Sequence, residues 1–421
     1  MNSLLKDRSE HFRESPYGLT VNSNPSSFAT TNGWDRVPIY TLFIAYFIYQ
    51  LQGAVYTSGG IVSQTLLFLV IAIDLVYFLK SLLFRKQSGF YYIWTGFFLL
   101  NVLGFFLWGG NLSKSEHFSM FKGIVLCLAT FYPAYYLARK GSLRRKDLLV
   151  FFVLGIIAAI VSFFYVASKL SSEYGLNEET IVNNMAYNFV FLTPFLFLIK
   201  RKNLSYILLF VLMFFVIQGA KRGAIVVELV LVLLYFYHEI TNIKHNKGAL
   251  KSVLLVLVGL SLMGYAVYEV ATSNEFLVMR FESTIKGDSS GRDYLYRSIW
   301  NSWWNESSND WITFLFGFGF ASSMQLTGGL FAHNDWLEVL SNFGLMGIIL
   351  YFSLIVKGFA YTLCKSWTER EDRMLLLTIM TAWLLISFFS MWYTNLEVLT
   401  QTILLGYLMG KNVNTHNFAH V

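Results

Sequence analysis

Apolar residues run along this chain in blocks of roughly twenty, separated by short polar breaks, which is the length of α-helix that spans a ~30 Å hydrocarbon core. The blocks fall at 37–53, 60–84, 90–109, 119–138, 148–167, 181–199, 203–218, 223–238, 251–270, 335–356, 374–393 and 395–410. Those at 181–199 and 203–218 are the least sharply bounded. The polar breaks are short except at 271–334, where one long segment lies between the ninth and tenth blocks. Long connections in compact proteins are commonly lids or binding loops. Within this one, Asp288 to Trp304 reads as a capped amphipathic helix, with Leu295, Ile299 and Trp303 on one face. Its Trp and Tyr content suits the bilayer interface. The pattern predicts an all-α polytopic membrane protein of about twelve transmembrane helices, with one large outer loop containing short amphipathic helices. The expected organisation is a cytoplasmic tail over 1–36, one transmembrane domain over 37–410 with 271–334 outside, and a cytoplasmic tail over 411–421.

Composition strengthens this reading. Hydrophobic residues make up 55% of the 421 and charged residues 14%, against about a quarter charged in soluble domains. The net charge of +7 becomes a topology signal once its distribution is followed. With the N-terminus inside, most Lys and Arg fall in the inner segments, as positively charged residues do in membrane proteins. They cluster at 80–86, 139–146, 200–202, 244–251 and 357–373, with Lys411 beyond. Nucleic acid is therefore not an expected partner. The first 36 residues lack an apolar core before a small-residue cleavage site and read as a tail, not a signal peptide. Cys127 falls mid-membrane and Cys364 near the inner surface, which makes a disulfide between them implausible. Asp74 lies inside the second helix, where a charge costs roughly 2.5–3.5 kcal/mol on insertion scales; it requires a partner, a proton or a wet cavity. Residues 37–200 otherwise read as scaffold.

Candidate chemistry gathers in three outer stretches. Lys221 and Arg222 stand on the side that positive charges avoid, at the start of the eighth helix and beside Gly223. Two cations with the free N–H groups of a helix start make an anion site; snorkelling to lipid headgroups is the plainer alternative. Glu228, two turns on, could orient or neutralise Lys221. Arg292 and Arg297 in the long loop would sit at headgroup depth, able to fork onto phosphate oxygens, with an ion pair to a nearby acid as the alternative for Arg292. His333 stands just before a helix that Asn334 can cap and whose first turn carries Asp335 and Glu338. Ser341, Gly344 and Gly347 then give a small-residue face for a neighbouring helix.

These residues resemble the O-antigen ligase/polymerase family of membrane glycosyltransferases, which act on lipid-linked glycans. The likeness covers roughly 205–395. It rests on Lys221-Arg222-Gly223, on Ser290-Gly-Arg292 with Trp300 and Gly317-Phe-Gly319, and on His333-Asn-x-x-Leu337 followed by Gly344-x-x-Gly347. The chain departs from the family pattern at Lys221, where Ser or Thr is common, at Asn342, where Glu is common, and at Trp336, where Tyr is common. The resemblance implies a GT-C-like fold in the bacterial inner membrane with its site on the periplasmic or outer face. It also implies an inverting, metal-independent transferase with no cofactor, consistent with the lack of any Asp-x-Asp motif. The donor would be an undecaprenyl-pyrophosphate-linked glycan. The acceptor would be another glycan (polymerase) or lipid A-core (ligase), and a chain-length regulator would be a partner of a polymerase. Arg222 and Arg292, assisted by Lys221, would clamp the pyrophosphate. His333 would act as general base or as a neutral donor, with Asn334, Arg297 and Glu228 supporting. The departures at Lys221 and Asn342 incline the reading to a polymerase in O-antigen, capsule or exopolysaccharide biosynthesis. A protein-O-glycosylating relative and a lipid-linked-glycan flippase are the alternatives; a flippase would need cations spread through the membrane core.

Overall fold

The computed structural model describes residues 33–174, 182–243, 291–307, 310–364 and 367–418, with isolated helical positions between 258 and 282. The expected ninth span at 251–270, the first part of the long loop and most of the N-terminal tail lie outside the described residues, as does Ser290.

The chain is an all-α, multi-pass membrane protein. Among the described residues, seven helical stretches have the length and composition to cross a membrane. The long apolar helices among them are α2 (Ile61–Leu82), α3 (Gly89–Leu107), α6 (Arg145–Tyr174), α9 (Arg222–Ile243), α13 (Asp335–Cys364) and α14 (Arg370–Phe389). The seventh stretch joins α4 (Ser115–Ala129) to α5 (Phe131–Arg139). The break between them falls at Thr130, just ahead of Pro133, whose ring and missing N–H disrupt a continuous helix. Four further helices coincide with apolar blocks: α1 (Val37–Gln50), α7 (Ala186–Leu192), α8 (Lys202–Gln218) and α15 (Leu399–Phe418). The poorly bounded block at 181–199 is α7 followed by a 3-10 helix over Thr193–Leu198 that begins next to Pro194. Three short helices come from the long loop: α10 (Arg292–Ser307), α11 (Trp311–Phe316) and α12 (Ser322–Leu326).

Close backbone approach organises the interior. The last helix lies against α5 through Gly406 and Gly410, which meet the backbone of Phe131 and Tyr135 and the methyls of Ala134 and Ala138. Glycines four apart let two helices approach to van der Waals contact where lipid supplies no hydrophobic drive. Asp74 is buried, and neither of its carboxylate oxygens has a hydrogen-bond partner among the described residues.

At the predicted small-residue face on α13, Gly344 takes φ 58° and ψ −151°, which breaks the helix, and the end of α11 closes on it through the backbone of Phe314 and Leu315. The Gly317-Phe-Gly319 turn continues that contact. Phe318 N–H donates to the Ser341 carbonyl at 2.7 Å and Gly319 N–H to the Asn342 carbonyl at 3.2 Å. Those carbonyls lose helical partners at the break, and the turn satisfies them, as buried backbone requires. Two glycine motifs separated in sequence thus form one joint.

The two ends of the bundle differ in charge. At one end Lys411 pairs with Glu369 and Asp372, each at 2.7 Å. Arg145 donates to the carbonyls of Leu198 and Phe197, and Lys202 pairs with Glu239 at 2.6 Å. This basic end collects the 139–146, 200–202 and 357–373 clusters. The opposite end holds the functional candidates.

Candidate functional site

At that opposite end six helix termini surround an open cavity of about 690 Å³, within the range of small-molecule sites. Its wall takes Ser115 and Glu116 from the start of α4 and Asn184, Tyr187 and Asn188 from the start of α7. Lys221, Phe331 and His333 add to it, and Ser390, Thr394, Asn395 and Glu397 close it between α14 and α15. Amide, hydroxyl and carboxylate groups share this wall with Met120, Met185, Met391 and Phe331.

Lys221 is delivered by a tight turn. Gly219 lies so close to α7 that a Cβ there would sit 2.6 Å from Ala186 Cβ, and its carbonyl accepts from Asn183 N–H at 2.9 Å. Ala220 then adopts φ 49°, a left-handed conformation that L-residues rarely adopt. The next residue, Lys221, offers its carbonyl to Ile225 N–H as α9 begins. Gly223 has its own role, because a Cβ there would meet the Tyr187 hydroxyl at 2.5 Å and Phe389 Cβ at 3.3 Å. It leaves room for Tyr187 in the cavity wall.

His333 also sits in the left-handed region, at φ 51°. Strained backbone of this kind persists where surrounding contacts over-determine it, and here they are visible. Ala332 N–H donates to Glu338 Oε1 at 2.5 Å, while Ser323 Oγ donates to Glu338 Oε2 at 2.6 Å. Asn334 caps α13 by accepting from Leu337 N–H at 3.2 Å. The imidazole, solvent-accessible in the cavity, is held below its usual pKa by partial loss of hydration and then by the charges of Arg292 and Lys221. All three residues therefore belong to one electrostatic environment.

Arg292 lies behind the wall, not in it. Its Nη1 donates to the carbonyl of Phe389 at 2.8 Å, at the negative end of the α14 dipole. No acid pairs with Arg292 among the described residues, and a guanidinium with five donors has others beside this one. Arg222 opens α9 but lies outside the lining, so Lys221 is the cation of that pair that faces the cavity. Arg297 is exposed on α10, also away from the lining. Glu228 is buried and accepts from Thr193 Oγ1 at 2.7 and 2.9 Å, which makes it a tie between α9 and the 3-10 helix. Asp335 is equally structural, accepting from Tyr351 Oη at 2.6 Å and from Trp392 N–H at 3.0 Å. Asn342 is buried and holds Ser322 N–H at 3.1 Å.

The half of the chain read as scaffold supplies much of the cavity: Glu116 lies in α4, and Asn184, Tyr187 and Asn188 at the start of α7, two stretches whose sequences carry no joint signal. The chain matches no protein-family model and no curated protein. The family likeness therefore rests on the motif residues and their order alone.

Proposed function

We propose that this protein is a membrane glycosyltransferase with about twelve spans and a GT-C-like arrangement. It would move an oligo- or polysaccharide from undecaprenyl pyrophosphate to an acceptor hydroxyl on the outer face of the bacterial inner membrane. The observation that carries the reading is the convergence of Lys221 and His333 on one open cavity, with Arg292 near enough to depress the His333 pKa. A neutral imidazole beside two cations suits a reaction that takes a proton from one oxygen while negative charge grows on another. The acceptor oxygen bonds to the anomeric carbon, the bond from that carbon to the pyrophosphate oxygen breaks, and the configuration inverts. His333 takes the acceptor proton. Lys221 and Arg292 meet the charge developing on the leaving pyrophosphate.

An acceptor that is itself lipid-linked would make this a polymerase, the reading favoured by the departures from the family pattern, and a lipid A-core acceptor a ligase. A flippase is the competing class, and Asp74, buried with no hydrogen-bond partner among the described residues, is the feature that favours it. Purified protein in vesicles with lipid-linked repeat unit and acceptor separates the two. A transferase forms a new glycosidic bond and releases undecaprenyl pyrophosphate; a flippase moves the lipid between leaflets and forms no bond.

A further inference from the structure

The basic end carries a second recess that the transfer chemistry does not use. Between α6 and the start of α8 lies a groove of about 500 Å³ whose lining includes Lys146, Lys200, Arg201, Leu149, Leu198 and Leu204. The three cations are exposed. Beyond them the outward faces of both helices are apolar and open: Val150 and Val153 on α6 are 44% and 55% exposed, and Leu204 and Ile207 on α8 are 45% and 60%. Cations gathered where two apolar faces end match an amphiphile with an anionic head, and a soluble anion would make no use of those faces.

A polar cavity of about 220 Å³ continues inward from the groove, sharing Arg145, Ile199 and Lys200 with it. His238 lines this cavity at 3% exposure. Its Nε2 is held by Asn242 at 2.9 Å, but its Nδ1 has no hydrogen-bond partner among the described residues. A buried, unsatisfied ring nitrogen is costly, and the ring that carries it borders space large enough for a polar group. Glu239 in the same wall is already neutralised by Lys202, Glu371 also lines it, and Arg145 is occupied by the carbonyls of Phe197 and Leu198.

We propose that the groove binds an anionic phospholipid with a hydroxylated headgroup. Its phosphate lies among Lys146, Lys200 and Arg201, its chains run along α6 and α8, and its headgroup reaches His238. Basic recesses between membrane helices are suited to such lipids. The site is independent of the transferase reading.

Native mass spectrometry of the full chain from micelles holding equal phosphatidylglycerol and phosphatidylcholine tests it. Phosphatidylglycerol should be retained about tenfold or more over phosphatidylcholine, as three surface cations imply. Lys200→Gln and Arg201→Gln, both at exposed positions, should each lower that retention, and the triple change with Lys146→Gln should abolish it. Arg85→Gln with Lys86→Gln, exposed cations elsewhere, should leave it unchanged. His238→Gln should weaken phosphatidylglycerol but not phosphatidic acid, which lacks the glycerol hydroxyls. Equal retention of phosphatidylcholine, full retention in the triple variant, or equal loss in the Arg85/Lys86 variant would overturn the proposal. Displacement of the lipid by inorganic phosphate alone would overturn it as well, by making the site one for a soluble anion.

Discussion

Replacing Gly344 by alanine should detach the long loop from α13. The backbone there stands at φ 58° and ψ −151°, a region essentially reserved for glycine, where another residue costs of order 1–3 kcal/mol. The added Cβ would also lie 2.6 Å from Gly317 N and 2.7 Å from both Leu315 C and Phe314 O. All three are backbone atoms, so no side chain can rotate away. Relief requires the turn to lift, which breaks the bonds from Phe318 N–H to Ser341 and from Gly319 N–H to Asn342, worth about 1 kcal/mol each. The joint should therefore lose about 3 kcal/mol or more, roughly a hundredfold in its local opening equilibrium. Hydrogen exchange at the amides of Phe318 and Gly319 in the purified protein reads this directly. Gly328→Ala is the control: φ is 76° there but nothing lies within 4 Å, so it incurs only the conformational cost and should leave those two amides protected. Unchanged exchange in Gly344→Ala would refute the joint.

Three further outcomes follow from the site. Arg292→Lys should lose nearly as much glycan transfer as Arg292→Ala, because an ammonium can keep the Phe389 carbonyl but cannot also fork onto phosphate; normal product from the lysine variant at equal protein level would contradict the pairing. If His333 is the proposed base, its active form is the neutral one, so activity should be present above its pKa and fall as pH drops through it. That acid limb should lie below the ordinary histidine value of about 6.5. Lys221→Ser should move the limb upward by removing a nearby positive charge, and a limb that stays fixed would separate Lys221 from His333. In intact cells Asn111→Cys, near the cavity end, should react with an impermeant thiol reagent, while Lys146→Cys should react only after lysis; the reverse pattern would place the cavity on the nucleotide-sugar side.

The long helices were legible because spanning a membrane needs a long apolar run, and each apolar block among the described residues is helical. The charge pattern was legible for a similar reason: the predicted inner clusters meet through Arg145, Glu369 and Lys411. His333 and Lys221 could be selected because each is chemically out of place in its surroundings. The cavity wall could not. Glu116, Tyr187 and Glu397 look like ordinary helix-end residues until tertiary packing brings their helices together. The break at Gly344 was equally hidden, because a glycine spacing suited to helix packing also suits a helix interruption. Gly406 and Gly410, four apart where Gly344 and Gly347 are three, pack helix on helix. Periodicity alone does not distinguish the two cases; the backbone each glycine meets does.

The central claim is that His333 performs chemistry in a cavity whose cations hold the donor. Its most direct test is His333→Ala, purified and given lipid-linked donor and acceptor, with turnover and donor affinity measured separately. His333 is exposed to the cavity, and the contacts that shape its loop run through Ala332, Asn334 and Glu338, so the variant should fold. Turnover should fall by roughly 10²–10⁴, the usual worth of general acid–base catalysis, with donor affinity nearly unchanged. A loss below tenfold, or a loss of donor binding equal to the loss of rate, would contradict the account.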